Sequence, residues 1–487
     1  MGKKKKTRRW IAAIAAAAVL SLLGWALVWG NTALVTANVL VCSNGIPEAF
    51  DAYKIVQISD LHDAQIGENN EKLVAMTAEA EPDCIVLTGD FVDSSRFHPE
   101  RSLSVAESLV KIAPVYYVSG NHEAILPDED YQALTSAAWR HTLCAHKLIA
   151  TPNGDMALLS KENDSNGCIG TVDVSYPSIP VLLKYAPELV NALCRPVLEF
   201  ASMPVWTDDF APHDVGRYPN ATGQVYAARR QVRNGETHPP YYLYPAGSPV
   251  YDPRYQMPVE ECGNMLVMLA AAQAFGASEG LARAYRPLLD KWVGYLVTYG
   301  EDPGEQLCTD DFAGHLAHNV NLAAKAMVGV ACYGRLTGDA AWEDKAREMA
   351  ARFLEKVGAQ GNTPLTLDGQ GWSMKYNLLW DRVLHLGLLP DGFYDAELNS
   401  YLPRINAYGL PLDSRADYTK SDWICWTAAL TQDKALRQAL LSPIARMLRE
   451  TTSRVPFSDW YDTKTGRYQA FIARSVQGGI YAPLLRG

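Results

Sequence analysis

From Gly263 to Arg449 the chain runs in long apolar-periodic segments that arrive in pairs, and no other feature restricts its fold as strongly. Gly263–Phe275 and Leu281–Tyr299 form one pair, and Asn319–Leu336 and Ala341–Val357 form a second. Lys375–Leu388 and Ala429–Arg449 continue the series. Breakers such as Asp302-Pro303-Gly304 and Leu336-Thr337-Gly338-Asp339 lie between them, because glycine and proline end helices and open turns. A helix with one apolar face must bury it on a neighbour, so repeated helix–turn–helix units stack into a helical array. No exact sequence repeat accompanies the pattern.

Upstream the pattern is different. Lys54–Ser59, Cys84–Thr88 and Val115–Ser119 are short β-branched runs, with helical stretches at Glu71–Glu79 and Leu103–Ile112 between them. Strand–helix–strand alternation with apolar strands predicts a parallel sheet buried on both faces. The seam between the two regimes falls near Tyr131–Ala138. It divides a partial α/β segment, 51–136, from a helical domain, 137–487.

Lys3 to Arg9 hold six basic residues, and the stretch Trp10 to Gly30 carries no charge. About twenty apolar residues suffice to cross a bilayer, and basic residues ahead of a span favour a cytoplasmic N-terminus. Residues 1–40 therefore predict a basic cytoplasmic segment and a transmembrane anchor. The protein would then sit in the cell membrane, single-pass, with its bulk extracytoplasmic. A cleaved signal peptide ending near Val35-Thr36-Ala37 is the rival, but its apolar core would be unusually long. Without the six basic residues, 38 basic face 54 acidic ones, a balance of −16. So acidic a body does not suit nucleic acid, whose binding relies on neutralising phosphates. The nine cysteines form no CxxC, so no thiol metal site is expected.

Three strand ends carry polar groups: Asp60-Leu61-His62-Asp63, Gly89-Asp90 and Gly120-Asn121-His122-Glu123. Asp60, His62, Asp90 and Asn121 are donors suited to divalent metals, and strand carboxyl ends are where such sites assemble. These motifs resemble those of the calcineurin-like metallophosphoesterases, D-x-H, G-D and G-N-H-[DE], in the same order. The resemblance implies that Asp60 and His62 hold one metal, Asp90 bridges, Asn121 binds a second, and His122 assists at the transition state. A divalent metal is thus the cofactor expected of this segment. The final G-H-x-H motif of that family does not occur after His122, so phosphoester turnover is not expected of so short a fragment.

The helical region concentrates functional side chains in Phe210–Gly216, Met257–Asn264, Cys308–Asn319 and Leu410–Trp423. Several of these precede helices, where carboxylates could line a pocket at one end of an array. From about Trp139 onward these segments look like the six-helical-hairpin region of the glutaminase A family. That resemblance implies a mainly α fold, an α-toroid of helical hairpins, and hydrolysis of glutamine to glutamate and ammonia without a cofactor. Glu260/Glu261 and Asp310/Asp311 are candidate acid and base, together with Asp214, since amide hydrolysis needs both roles. His213 is a candidate for substrate binding. Arg415 or Lys420 could meet the α-carboxylate of a small-molecule substrate, and Asp413 or Asp417 its α-ammonium. Acidic residues in a first helical turn also stabilise the helix dipole, and Thr309 and Ser421 read as N-caps. Toroids of this shape also host sugar-cleaving enzymes that use two carboxylates. A glycoside hydrolase, a metal-dependent phosphoesterase and an inactive hybrid are therefore the alternatives.

Overall fold

A computed structural model describes residues 21, 24–25, 30, 33–41, 47–93, 98–118, 130–229 and 244–485. They fall into two units, Met1–Glu129 and Asp130–Gly487. The expected transmembrane anchor is corrected here: among the described residues no helix is long and apolar enough to cross a membrane. The stretch Trp10–Gly30 lies almost wholly outside the described residues. The fold is accordingly mainly helical with a few small sheets and, among the described residues, no membrane-spanning helix, so the single-pass localisation and membrane partner are withdrawn.

In the first unit, β1 (Ile55–Ile58), β2 (Cys84–Thr88) and β3 (Val115–Val118) pair in parallel in the order β1-β2-β3. Helices α1 (Glu71–Glu79) and α2 (Pro99–Leu109) form the crossovers. Ile58, Leu61, Ile85, Leu87, Phe91, Val105 and Leu109 make its small core. Tyr116, Tyr117 and Val118 of the edge strand β3 stay exposed.

The second unit is a closed ring. Its inner elements are α4 (Val172–Tyr185), α6 (Pro258–Ala274), α8 (Val320–Thr337), the short run Tyr376–Val383 containing α10 (Leu379–Val383), α12 (Ser421–Ala428) and a terminal 3-10 segment, Ser475–Leu485. Each packs on the next and the last returns to α4. Outer helices follow the inner ones in sequence: α5 (Glu188–Ala201), α7 (Arg286–Tyr299), α9 (Ala340–Val357), α11 (Asp391–Tyr401) and α13 (Lys434–Glu450). The first and last elements of this unit make the sixth hairpin. Helix α3 (Asp130–Cys144) packs on the terminal segment, with Tyr131 Oη donating to Ile480 O at 2.8 Å and Tyr481 Oη to Thr135 O at 2.9 Å.

Composition explains which helices go inside. Residues 258–272 of α6 and 320–334 of α8 are buried all round, as expected of a helix apolar on every face. In α9 only Ala346, Met349, Ala350 and Phe353 are buried, one stripe on a charged helix. Local signals set the ends. Asn319 caps α8 by accepting from Asn321 N (2.9 Å) and Leu322 N (3.3 Å), and left-handed Gly338 stops it. The expected helix Ala429–Arg449 starts only at Lys434, as α13, because Asp433 caps its start by accepting from Ala435 N at 2.7 Å. Among the described residues eight cysteines are free, and all but Cys144 are buried.

Ring closure depends on close approach at the terminal segment. A Cβ on Gly478 would lie 2.3 Å from the backbone oxygen of Ser178 in α4. Gly478→Ala is therefore expected to destabilise the helical unit by about 1–3 kcal/mol through overpacking. Urea unfolding followed by tryptophan fluorescence checks this; an unchanged midpoint would mean that the contact relaxes freely. No tryptophan lies between residues 31 and 129, so that signal reports chiefly on the helical unit.

Candidate functional site

The N-terminal ends of the inner helices bring acidic side chains together. Asp173 stands in the first turn of α4, Glu260 and Glu261 in that of α6, and Asp310 just ahead of the turn leading to α8. All four are at most 6 % exposed. Free N–H groups and the helix dipole favour negative charge at such ends, while exclusion from water opposes it.

Each carboxylate has a different setting. Glu260 takes hydrogen bonds from Lys325 Nζ, Thr309 Oγ1 and Asn264 Nδ2. Lys325, 1 % exposed, also donates to Asn264 Oδ1 at 2.6 Å and lies 4.3 Å from the Tyr176 ring centre. Asp310 accepts from Tyr376 Oη at 2.8 Å and Trp423 Nε1 at 3.1 Å. Burial raises its pKa, against the pull of Lys420 and these two donors. It lines a narrow hollow with Asn321, Ser373, Tyr376, Asp413 and Arg415, whose free volume is ≈ 10 Å³, room for about one water.

Beside them, His213 Nδ1 meets Asp214 Oδ2 at 3.0 Å, and its Nε2 lies 3.4 Å from Asp173 Oδ1. Burial disfavours an imidazolium there, yet Asp173 and Asp214 raise the His213 pKa to about 10. Burial also pushes Asp173 up to about 7 and Glu261 well above the carboxylate range. Asp214 is a positioning group: it accepts from Gly216 N, Val225 N and Tyr226 N at 2.9–3.0 Å.

Lys420 belongs to a second buried cluster, 2.8 Å from Asp459 Oδ2 and 3.6 Å from Asp422 Oδ1, with Arg474 3.9 Å from Asp459. Burial raises the Asp422 pKa to about 7, and Lys420 opposes the shift. A carboxyl whose folded pKa exceeds its unfolded one stabilises fully below the unfolded value, near pH 4. It loses that contribution as pH rises towards 7. The helical unit should thus lose on the order of a few kcal/mol between those limits through this group. Asp422→Asn should flatten the decline in urea unfolding at stepped pH; an equally steep profile would show that other groups govern it.

The sequence-predicted residues separate into groups. Glu260, Glu261 and Asp310 are buried as described, with His213 and Asp214 close to Glu261 through Asp173. Asp311 is half-buried and accepts from Tyr226 Oη at 3.0 Å. Asp413 and Arg415 satisfy each other in a bidentate pair, 3.0 and 2.7 Å, on the wall of the hollow. Asp417 is half-exposed and pairs with Lys464 at 2.7 Å, apart from this group. Thr309 and Ser421 donate to Glu260 and Gln477 and show no helix-capping bond. His315 and His318 do not pair: one contacts Arg254 O and the other Asp302. Sequence reasoning missed Asp173, Lys325, Asp422, Asp459 and Arg474. The one visible signal was Lys325, a charge in the middle of the apolar run Val320–Val330.

In the first unit, Asp60, His62 and Asp90 bring one ligand atom each within 4.8 Å of the others. All three take left-handed backbone, φ 56°, 49° and 49°, a strained state that clusters at ligand sites. Asp63 instead anchors the following loop, accepting from Asp93 N and His98 N at 2.9 Å and from Ser102 Oγ at 2.6 Å. The trio fits one divalent cation, which there would supply Lewis-acid polarisation and a more acidic bound water. Asn121 and His122 lie outside the described residues.

A ring of helical hairpins with carboxylates at its inner helix ends makes the larger unit an α-toroid. The chain belongs to the glutaminase A six helical-hairpin family, whose model matches residues 128–484. A calcineurin-like phosphoesterase model matches residues 53–164. Glutaminase A of Aspergillus oryzae is 36% identical over 375 residues, 73% of this chain and 50% of the relative. The chain spans about half the length of the curated glutaminases it matches. An uncharacterized metallophosphoesterase of Bacillus subtilis is 35% identical over 108 residues, 21% of this chain and 40% of that protein. Among solved structures, a GH63 mannosylglycerate hydrolase from Thermus thermophilus aligns at TM-score 0.45 and 11% identity, covering 72% of this chain and 99% of that one.

Proposed function

We propose that the helical unit hydrolyses the side-chain amide of a small molecule such as glutamine, giving the carboxylate and ammonia. The observation that carries this reading is Asp310, a buried carboxyl of raised pKa on the wall of the hollow, oriented by Tyr376 and Trp423. Its ionised form can take a proton from the attacking water, and the carboxyl so formed, which holds its proton more firmly than an ordinary one, can pass it to the leaving amide nitrogen. Asp413 and Arg415 face the same hollow and are placed to meet the charged end of a substrate. Anything larger than a water enters only when part of this lining shifts, as catalytic loops commonly do. Membership of the glutaminase A family supports the amide as substrate. The test is ammonia release from glutamine by the purified full chain. No release from folded protein would overturn the proposal.

A further inference from the structure

From the geometry around His213 we infer that Asp173, His213 and Glu261 form a binding site for one divalent transition-metal ion. The site goes beyond amide hydrolysis and stands or falls separately. One ligand atom of each residue lies within 4.8 Å of the other two. Asp173, His213 and Glu261 are 5 %, 2 % and 1 % exposed. Among the described residues no donor makes a hydrogen bond to Asp173 Oδ1 or Glu261 Oε1, apart from the 3.4 Å approach of His213 Nε2 to Asp173, a costly state for buried carboxylate oxygens unless something else meets them.

The imidazole between them is already oriented. Asp214, locked by three backbone N–H groups, takes His213 Nδ1, and the Tyr226 ring stacks on the imidazole at 4.0 Å and 17°. A ligating histidine typically gives its other nitrogen to a carboxylate in this way. Nε2 is thereby left on the side of Asp173 Oδ1, at 3.4 Å. Donors held ~2.1 Å from a tetrahedral ion stand about 3.4 Å apart, so the gap has the right size. One imidazole nitrogen and two carboxylate oxygens suit Zn²⁺, Mn²⁺ or Co²⁺ better than Cu(I), which prefers sulfur. A divalent charge would also offset the carboxylates gathered there, which one imidazolium does only in part.

The test uses the full chain carrying Asp60→Asn, His62→Asn and Asp90→Asn, which breaks up the ligand trio of the first unit. After loading with Zn²⁺ or Co²⁺ and dialysis, elemental analysis should find about one equivalent per chain, and Co²⁺ should show the d–d absorption of an N/O site. Adding Glu261→Gln should abolish the retained metal, while Asp214→Asn should weaken binding by about 10–100-fold. Folded protein that retains none of Zn²⁺, Co²⁺ or Mn²⁺ would overturn the inference, as would full retention in the Glu261→Gln chain. Should Glu261→Gln fail to fold, the imidazole NMR signals decide: a His213 resonance unmoved by excess Zn²⁺ identifies a plain imidazolium ion pair and overturns the site. Metal is read directly, so the result does not depend on ammonia release.

Discussion

Asp310→Asn is expected to lower kcat for ammonia release by about 10²–10⁴-fold, the usual contribution of a positioned acid or base. Asparagine is nearly isosteric and keeps an oxygen to accept from Tyr376 Oη or Trp423 Nε1, so the hollow should hold its shape. An amide cannot exchange the proton, so the loss should fall on kcat, with KM little changed. The pH profile adds a second readout. Burial raises the Asp310 pKa, so the limb this group controls should lie above the ordinary carboxylate range and vanish in the variant. Steady-state kinetics alongside the unfolding midpoint of each protein make the comparison. Retained kcat in a folded Asp310→Asn chain would remove Asp310 from the chemistry.

Lys325→Ala is expected to destabilise the helical unit by about 3–5 kcal/mol, the cost of leaving a buried ion without its partner. Lys325 and Glu260 are both 1 % exposed, and the ammonium also meets Asn264 and the Tyr176 ring. The lysine stem fills space that a glycine leaves open: a Cβ on Gly263 would come 2.4 Å from Lys325 Cγ. Alanine thus removes both the charge and the packing between α6 and α8. Replacing the pair together, Glu260→Gln with Lys325→Met, should recover much of the loss, because no lone charge remains. Urea unfolding of the two single variants and the double variant measures the coupling. A cost near zero for Lys325→Ala would mean that the buried pair adds nothing net to stability.

The helical fold was legible because it is locally encoded. Pairs such as Asn319–Leu336 and Ala341–Val357 repeat apolar residues at helical spacing and stop at Gly338 and Gly358, and α8 and α9 begin and end within a residue or two of those limits. The strand–helix alternation before Gly120 was legible for the same reason, with β2 at the expected residues. The short inner elements were harder. Tyr376–Val383 and Ser475–Leu485 are a few 3-10 and α turns whose burial comes from neighbours, so they carry little periodicity of their own.

The candidate site was legible only where motifs are dense. Glu260 and Glu261 look equivalent as neighbours in sequence, yet one faces Lys325 and the other the His213 group, because successive side chains on a helix point about 100° apart. Asp413 and Arg415 read as a substrate clamp, and the pairing between them, two residues apart in a turn on the wall of the hollow, was not legible in the sequence.

By itself, then, the sequence determined that this protein pairs helices into hairpins and, earlier in the chain, alternates strands and helices into a short parallel sheet, since helix periodicity, caps and breakers act over a few residues. Only the tertiary structure decided which charges meet. Asp173 and His213, Glu260 and Lys325, Asp310 and Trp423 lie 40, 65 and 113 positions apart. They come into reach when the ring closes and excludes water, and that exclusion makes each pairing strong and each unpaired oxygen costly.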